Sequence, residues 1–131
     1  MAAVRSFRQL EVWQVSMELA TAVYAVSDML PGTERFALAS QLRRAAASIP
    51  ANLAEGHGRT TRAYAYHVSV AIGSQAELDT LLELATRLKM IHPDALSAVA
   101  PALAQTGRML HGLAAALGRR TERAEYRRDS P

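Results

Sequence analysis

Residues 41–59 read Gln-Leu-Arg-Arg-Ala-Ala-Ala-Ser-Ile-Pro-Ala-Asn-Leu-Ala-Glu-Gly-His-Gly-Arg. At helical spacing this stretch carries two stripes. Leu42, Ala45, Ile49 and Leu53 form an apolar one. Gln41, Arg44, Ser48, Asn52 and Glu55 form a polar one on a neighbouring face, at steps of three or four residues. A solvated face carries interchangeable Lys and Glu; amides, a hydroxyl, one Arg and one Glu suit specific hydrogen bonding. Arg44 and Glu55 lie about three turns apart, too far to pair within one helix. Each is therefore expected to find a partner on another helix, on another subunit or in a ligand. Pro50 cannot donate to the Ala46 carbonyl and crowds that turn. The stripes keep register on both sides of it, which predicts one kinked helix, from about Glu34 to Glu55, rather than two.

Outward from this stretch the chain reads as three more helices. Residues 10–30 carry one stripe of Val12, Leu19, Val23, Val26 and Leu30, and beside it a second of Trp13, Met17, Ala20 and Tyr24. The combined face is broad, as for a helix touching two neighbours. Pro31-Gly32 ends this helix, and Thr33 is the expected N-cap of the next. Gly56-His57-Gly58 is expected to end helix 2, since glycine tolerates the left-handed conformation common past a helix end. Helix 3 begins near Thr60 or Thr61. Its expected seam is Tyr64, His67, Ala71, Ser74, Leu78, Leu81, Ala85 and Leu88, with a second partly apolar line of Tyr66, Val70, Gly73, Thr80 and Leu84. Gly73 costs about 1 kcal/mol relative to Ala inside a helix, which calls for a packing reason. Glu77, one turn further on, joins Gln41, Arg44, Ser48, Asn52 and Glu55 in an expected polar network, buried or interfacial and mutually satisfied. His92-Pro93-Asp94 breaks the chain. Helix 4 is expected from about Asp94 to Leu117, with Leu96, Val99, Leu103, Leu110, Leu113 and Leu117 on one face and Gly118 as its end. The expected organisation is an all-α, antiparallel up-down-up-down four-helix bundle over residues 1–118, followed by a mobile charged tail, 119–131.

Composition sets the outer limits. The chain has 131 residues, half of them hydrophobic but only 5% aromatic. That suits an Ala/Leu-rich helical interior better than a β-sandwich. It contains no Cys, which excludes a disulfide framework, a thiolate nucleophile and a Cys-based metal site. The start, Met-Ala-Ala-Val-Arg-Ser-Phe-Arg, lacks the apolar region of a signal peptide, and no apolar run reaches about 18 residues. A cytoplasmic protein is the expectation. The net charge is +3, compatible with nucleic acid.

The central stretch also resembles a known family. Arg-Arg-Ala-Ala-x-Ser-Ile-Pro-x-Asn-Leu-Ala-Glu-Gly-x-Gly-Arg, residues 43–59, is similar to the signature of the small four-helix-bundle proteins first noticed as open reading frames in intervening sequences of 23S rRNA genes. Leu10-Glu-Val-Trp13, Pro31-x-x-Glu34, Ala71-x-Gly73-Ser74 and Glu77-Leu78 fit it as well. The likeness covers roughly residues 7–91. It implies a helical bundle that assembles into a ring of five copies. It also implies a distant relationship to the accessory variability proteins of diversity-generating retroelements, which work with a reverse transcriptase and its nucleic acid. The family carries no established biochemical role.

Catalytic constellations are absent from the sequence. A di-iron bundle needs Glu-x-x-His pairs, and none of His57, His67, His92 and His111 has a Glu three positions before it. There is no His-Glu-x-x-His and no Gly-x-x-x-x-Gly-Lys. Ser48 and Ser74 have no local base, and Glu55 with Glu77 reads better as hydrogen-bond acceptors than as an acid/base pair. The sequence thus predicts no catalytic residues, no metal, no cofactor, no small-molecule substrate and no enzyme. The expected function is a self-associating scaffold or interaction module. The alternative is weak, sequence-tolerant RNA binding, linked to rRNA or to a nucleic-acid-processing partner. Its contacts would be Arg43, Arg59, Arg62, Arg119 and Arg120, and it gains if these line one face rather than pair with Glu34, Glu55, Glu77 and Asp79.

Overall fold

The computed structural model describes residues 6–34 and 36–130. Residues 1–5, in the start read for a signal peptide, Arg35, near the expected start of helix 2, and Pro131, the end of the expected tail, lie outside the described residues. Four helices make up the architecture: α1 Glu11–Ser27, α2 Leu38–Gly56, α3 Thr61–Arg87 and α4 Pro93–Asp129. Single 3-10 turns, Phe7–Gln9 and Gly32–Glu34, precede α1 and α2. No strand occurs among the described residues. Each helix packs against the ones before and after it, and α4 closes back on α1, while the backbones of α1 and α3 do not approach closely. They are the diagonals of an antiparallel up-down-up-down bundle.

The core is aliphatic and fine-grained. Leu19, Val23, Leu42, Ile49, Leu53, Val68, Leu78, Leu82, Leu110 and Leu117 are fully buried, and Ala45, Ala46, Ala71 and Ala85 let the backbones approach. α2 is one helix through Pro50, as its unbroken stripes require, and the proline ring is itself buried.

The ends of the helices depart from the sequence reading at the start of α2 and the end of α4, and the end of α3 adds a detail to it. Thr33 does not cap α2. The chain instead makes a 3-10 turn, α2 begins at Leu38, and the Glu34 carboxylate reaches forward to accept from the Leu38 amide at 3.4 Å. Helix 3 stops before His92-Pro93. The amides of Lys89 and Met90 donate back to the carbonyls of Thr86 and Ala85, and Lys89 sits at φ 59°. This is a Schellman end with lysine where glycine is usual. Helix 4 does not stop at Gly118. It continues to Asp129, past its last buried side chain, Leu117, as an exposed charged helix. Nothing follows Gly118 to force a left-handed residue, and Arg and Glu are good helix formers.

The buried face of α3 also differs from the expected seam. Tyr64, Ala71, Ser74, Leu78 and Ala85 are buried. His67 and Leu81 are only half-buried, Leu88 is exposed, and Val68 and Leu82 are fully buried in their place. The buried positions still repeat by seven, Tyr64, Ala71, Leu78 and Ala85 with Val68 and Leu82. The second line lies four residues after Tyr64 and Leu78 rather than three, so the buried face is turned part of the way round the helix from the expected seam. Lys89→Gly relieves the left-handed strain without touching the core, so it is expected to stabilise the bundle by about 1 kcal/mol in chemical denaturation.

Candidate functional site

The polar stripe of α2 faces α3, and three contacts join the two helices along the seam. Arg44 Nη2 donates to Glu77 Oε1 at 2.5 Å. Ser48 Oγ and Ser74 Oγ are 2.8 Å apart. Asn52 Nδ2 donates to the Ser48 carbonyl at 2.9 Å and to Ser48 Oγ at 3.1 Å, which leaves Asn52 Oδ1 to accept from His67 Nδ1 at 3.0 Å. That last bond puts the imidazole proton on Nδ1. The α2 residues climb by fours while the α3 residues descend, as antiparallel helices demand. At the far end Gly56 is held by space: a Cβ there would lie 2.7 Å from His67 Cβ and 3.0 Å from Tyr64 Cδ1. Gly58, at φ 88°, is the left-handed residue of the turn. The two glycines thus serve different needs.

Gln41 and Glu55 stand outside this set. Both are exposed, and their side chains form no hydrogen bond or ion pair among the described residues. The Arg44–Glu77 pair is itself accessible, with side chains 63% and 38% exposed. An ion pair so exposed contributes about 0–1 kcal/mol. Within one chain the network is therefore a short buried-to-surface chain of Ser74, Ser48, Asn52 and His67 rather than a six-residue buried cluster. Helical phase explains Arg44 and Glu55, which sit a step further round toward solvent than Ser48 and Asn52.

The arginines divide into two groups. Arg43 is engaged at the α1–α2 end: Nε donates to Ser27 Oγ at 2.7 Å, Nη2 pairs with Asp28 at 2.6 Å, and the guanidinium lies 5.5 Å from the Tyr24 ring centre. Arg59, Arg62, Arg119 and Arg120 lie exposed at the opposite end, where α2 passes into α3 beside α4. Arg62 reaches Glu125 on α4 at 2.7 Å. Among the described residues the acidic partners of this set are thus Asp28 and Glu125, not the expected Glu34, Glu55, Glu77 or Asp79; Glu77 pairs with Arg44 instead. Tyr64, buried beneath this end, has no hydrogen-bond partner for its hydroxyl among the described residues. Burial pushes its phenol above the usual range, with the Arg120 charge opposing.

An apolar groove of about 650 Å³ runs between α1 and α2. Trp13, Met17 and Tyr24 form its wall, and Ala47, Ala51 and Ala54 its floor, with Pro50 between them and Arg8 at one end. The second stripe of α1 supplies the wall. The floor escaped the sequence reading: Ala47, Ala51 and Ala54 recur at helical spacing, but alanine is equally common in cores and on surfaces, so the pattern alone carries no direction. Among the described residues no cluster of three His, Cys, Asp or Glu side chains is arranged to hold a metal ion. No helix of the described residues is long and apolar enough to cross a membrane.

Asn52→Ala removes the donor to Ser48 and the acceptor for His67. It is expected to cost about 1–3 kcal/mol in urea unfolding. Glu55→Ala, with no partner to strand, is expected to stay within about 0.5 kcal/mol.

No curated protein matches the chain. A family model, that of the 23S rRNA-intervening sequence protein, matches residues 8–112. The match takes in α1, α2, α3 and α4 as far as the buried Leu110, and with them the α2–α3 polar seam and the α1/α2 groove. With this span matched and four helices in a bundle, the chain belongs to the 23S rRNA-intervening sequence protein family.

Proposed function

We propose that the protein is a non-enzymatic, self-associating interaction module. The observation that carries this reading is apolar surface on two separate faces. One is the α1/α2 groove with its half-exposed Met17 and Tyr24. The other is the outer line of α3, where Tyr66 is 65% and Leu84 43% exposed. The groove is contiguous apolar surface, and surface of that kind marks contact with another macromolecule. The polar seam between the faces ends in side chains unused within the chain, Gln41 and Glu55. A second copy brings donors and acceptors of matching chemistry to them. The family resemblance supplies the number, a ring of five. Such a ring joins two different patches head to tail. Light scattering at micromolar concentration is expected to give five times the chain mass of 14.2 kDa. A mass of one chain removes self-association, and a mass of two removes the ring.

A second reading rests on the end of the bundle where Arg59, Arg62, Arg119 and Arg120 gather. There the protein binds RNA through its phosphates, weakly and without sequence preference, or binds a partner that handles nucleic acid. Arg43, spent on Ser27 and Asp28 at the other end, takes no part. Four phosphate contacts to a single strand give a slope of roughly −3 in log affinity against log salt. Fluorescence titration of a short RNA is expected to show that slope, flattened by substituting Arg59 and Arg120 together. Affinity unchanged from low to high salt removes this reading.

A further inference from the structure

We infer that the exposed end of α4 carries single-stranded RNA along one face, with Arg119, Arg120, Arg123 and Arg127 on its phosphates and Tyr126 stacked on a base. The inference rests on the RNA-binding reading and adds to it the surface that the strand follows.

The charges of this segment are sorted rather than mixed. Past Gly118, α4 holds five arginines and three acids. Arg123 has Arg119 and Arg120 behind it at i−4 and i−3, and Tyr126 and Arg127 ahead of it at i+3 and i+4. These are the positions that meet on a helix surface. The acids Glu122, Glu125 and Asp129 recur at steps of three and four, and so hold a line of their own. Glu125 pairs with Arg62 of α3 at 2.7 Å, so the acidic line sits on the α3 side and the arginine line away from it.

A helix that is merely solvated gains from opposite charges three or four residues apart and loses from like ones. Here Arg119–Arg123, Arg120–Arg123 and Arg123–Arg127 are like-charged neighbours. None of the four forms an ion pair among the described residues. Nothing in the core compensates, since all are exposed and lie beyond the last buried side chain, Leu117. Repulsion that the chain does not relieve is relieved by a polyanion.

The line from Arg119 to Arg127 extends about 12 Å, and each guanidinium presents a planar fork that matches phosphate oxygens. Tyr126 selects the kind of polyanion. It is the one Phe, Tyr or Trp of α4, and it is 76% exposed. It stands with Arg119 and Arg123 around a shallow hollow that Glu122 closes on the acidic side. An exposed aromatic ring beside arginines stacks on an unpaired base. Double-stranded RNA offers it none, because the bases are paired and the A-form major groove is too narrow for side chains to read. A second copy of the chain is a poorer occupant. Its own α4 end offers three acids, one of them held by Arg62, against four arginines.

The test is titration of the full chain with labelled oligouridylate, followed by fluorescence anisotropy at several salt concentrations. Arg123→Gln and Arg127→Gln together are expected to reduce the slope of log affinity against log salt by about 1.4. Tyr126→Ala is expected to weaken binding roughly ten-fold with the slope unchanged, and Tyr126→Phe, which keeps the ring, to bind like the parent. Arg128→Gln removes the same charge from the other side of the helix and is expected to leave the affinity unchanged. Circular dichroism of each variant checks that α4 stays helical. A helical double variant with the parent's slope overturns the inference and leaves the RNA-binding reading standing. So does a loss from Arg128→Gln as large as that from Arg127→Gln alone. No binding even at low salt removes both. Displacement of the RNA by polyglutamate of equal charge assigns the face to an acidic protein, and a fall in oligomeric mass in the double variant assigns it to a second copy. Either result overturns the inference.

Discussion

The antiparallel contact between α2 and α3 is the constraint on which the rest of the molecule depends. It is the most extensive helix pair of the bundle, and it is held from both sides. On the inner side Leu42, Ile49, Leu53, Leu78 and Leu82 exclude water. On the outer side Ser48 meets Ser74, and Asn52 meets His67. Apolar packing supplies most of the free energy but is tolerant of sliding, since one aliphatic contact resembles the next. A hydrogen bond between two short side chains is not. Shift α3 by one turn and Ser48, Asn52 and His67 lose their partners together, which ties the register to the polar seam.

Register at this contact positions both outer surfaces. With Ser74 set against Ser48, Gly73 turns outward beside it, and Tyr66 and Leu84 lie in line with it along the same face. On α2 the same rotation that aims Ser48 and Asn52 at α3 sends Ala47, Ala51 and Ala54 toward α1, where they become the floor of the groove. Pro50 adds to this. Its ring sits between α2 and the groove, and its missing amide removes the bond to Ala46 that an ordinary residue makes there. The groove and the α3 line are thus two consequences of one helix pairing.

Electrostatics separate the two ends of the molecule in the same way. Antiparallel topology returns the α2–α3 turn and the long end of α4 to one end of the bundle, so Arg59, Arg62, Arg119 and Arg120 become neighbours although the sequence holds them some sixty residues apart. The turn between α1 and α2 lies at the other end, where Arg43 is spent on Ser27 and Asp28. Two adjacent arginines, Arg43 and Arg44, thus bond to different helices. A side chain's neighbours in space decide whether its charge is available.

Much of this was legible in the chain alone, because local physics writes it there. Periodicity of 3.6 residues marks four helices, Pro and Gly mark the breaks between them, and the unbroken stripes across Pro50 mark one helix rather than two. The residue types of the 41–59 stretch, small and hydrogen-bonding where a surface is usually charged, announced a specific contact. Other features had no local signature. The end of α3 at Lys89 and the run of α4 to Asp129 depend on backbone bonds that several sequences accommodate. The exchange of His67, Leu81 and Leu88 for Val68 and Leu82 as core residues reflects which flank of the Tyr64–Ala71–Leu78–Ala85 line the neighbouring helices cover. Above all, the partners of Arg43, Arg44 and Arg62, the bareness of Gln41 and Glu55, and the empty space around Gly73 come from helices brought together from distant parts of the chain. Sequence determines which faces a helix offers; only the packed bundle decides which of them remain uncovered, because burial belongs to pairs of helices and not to any one of them.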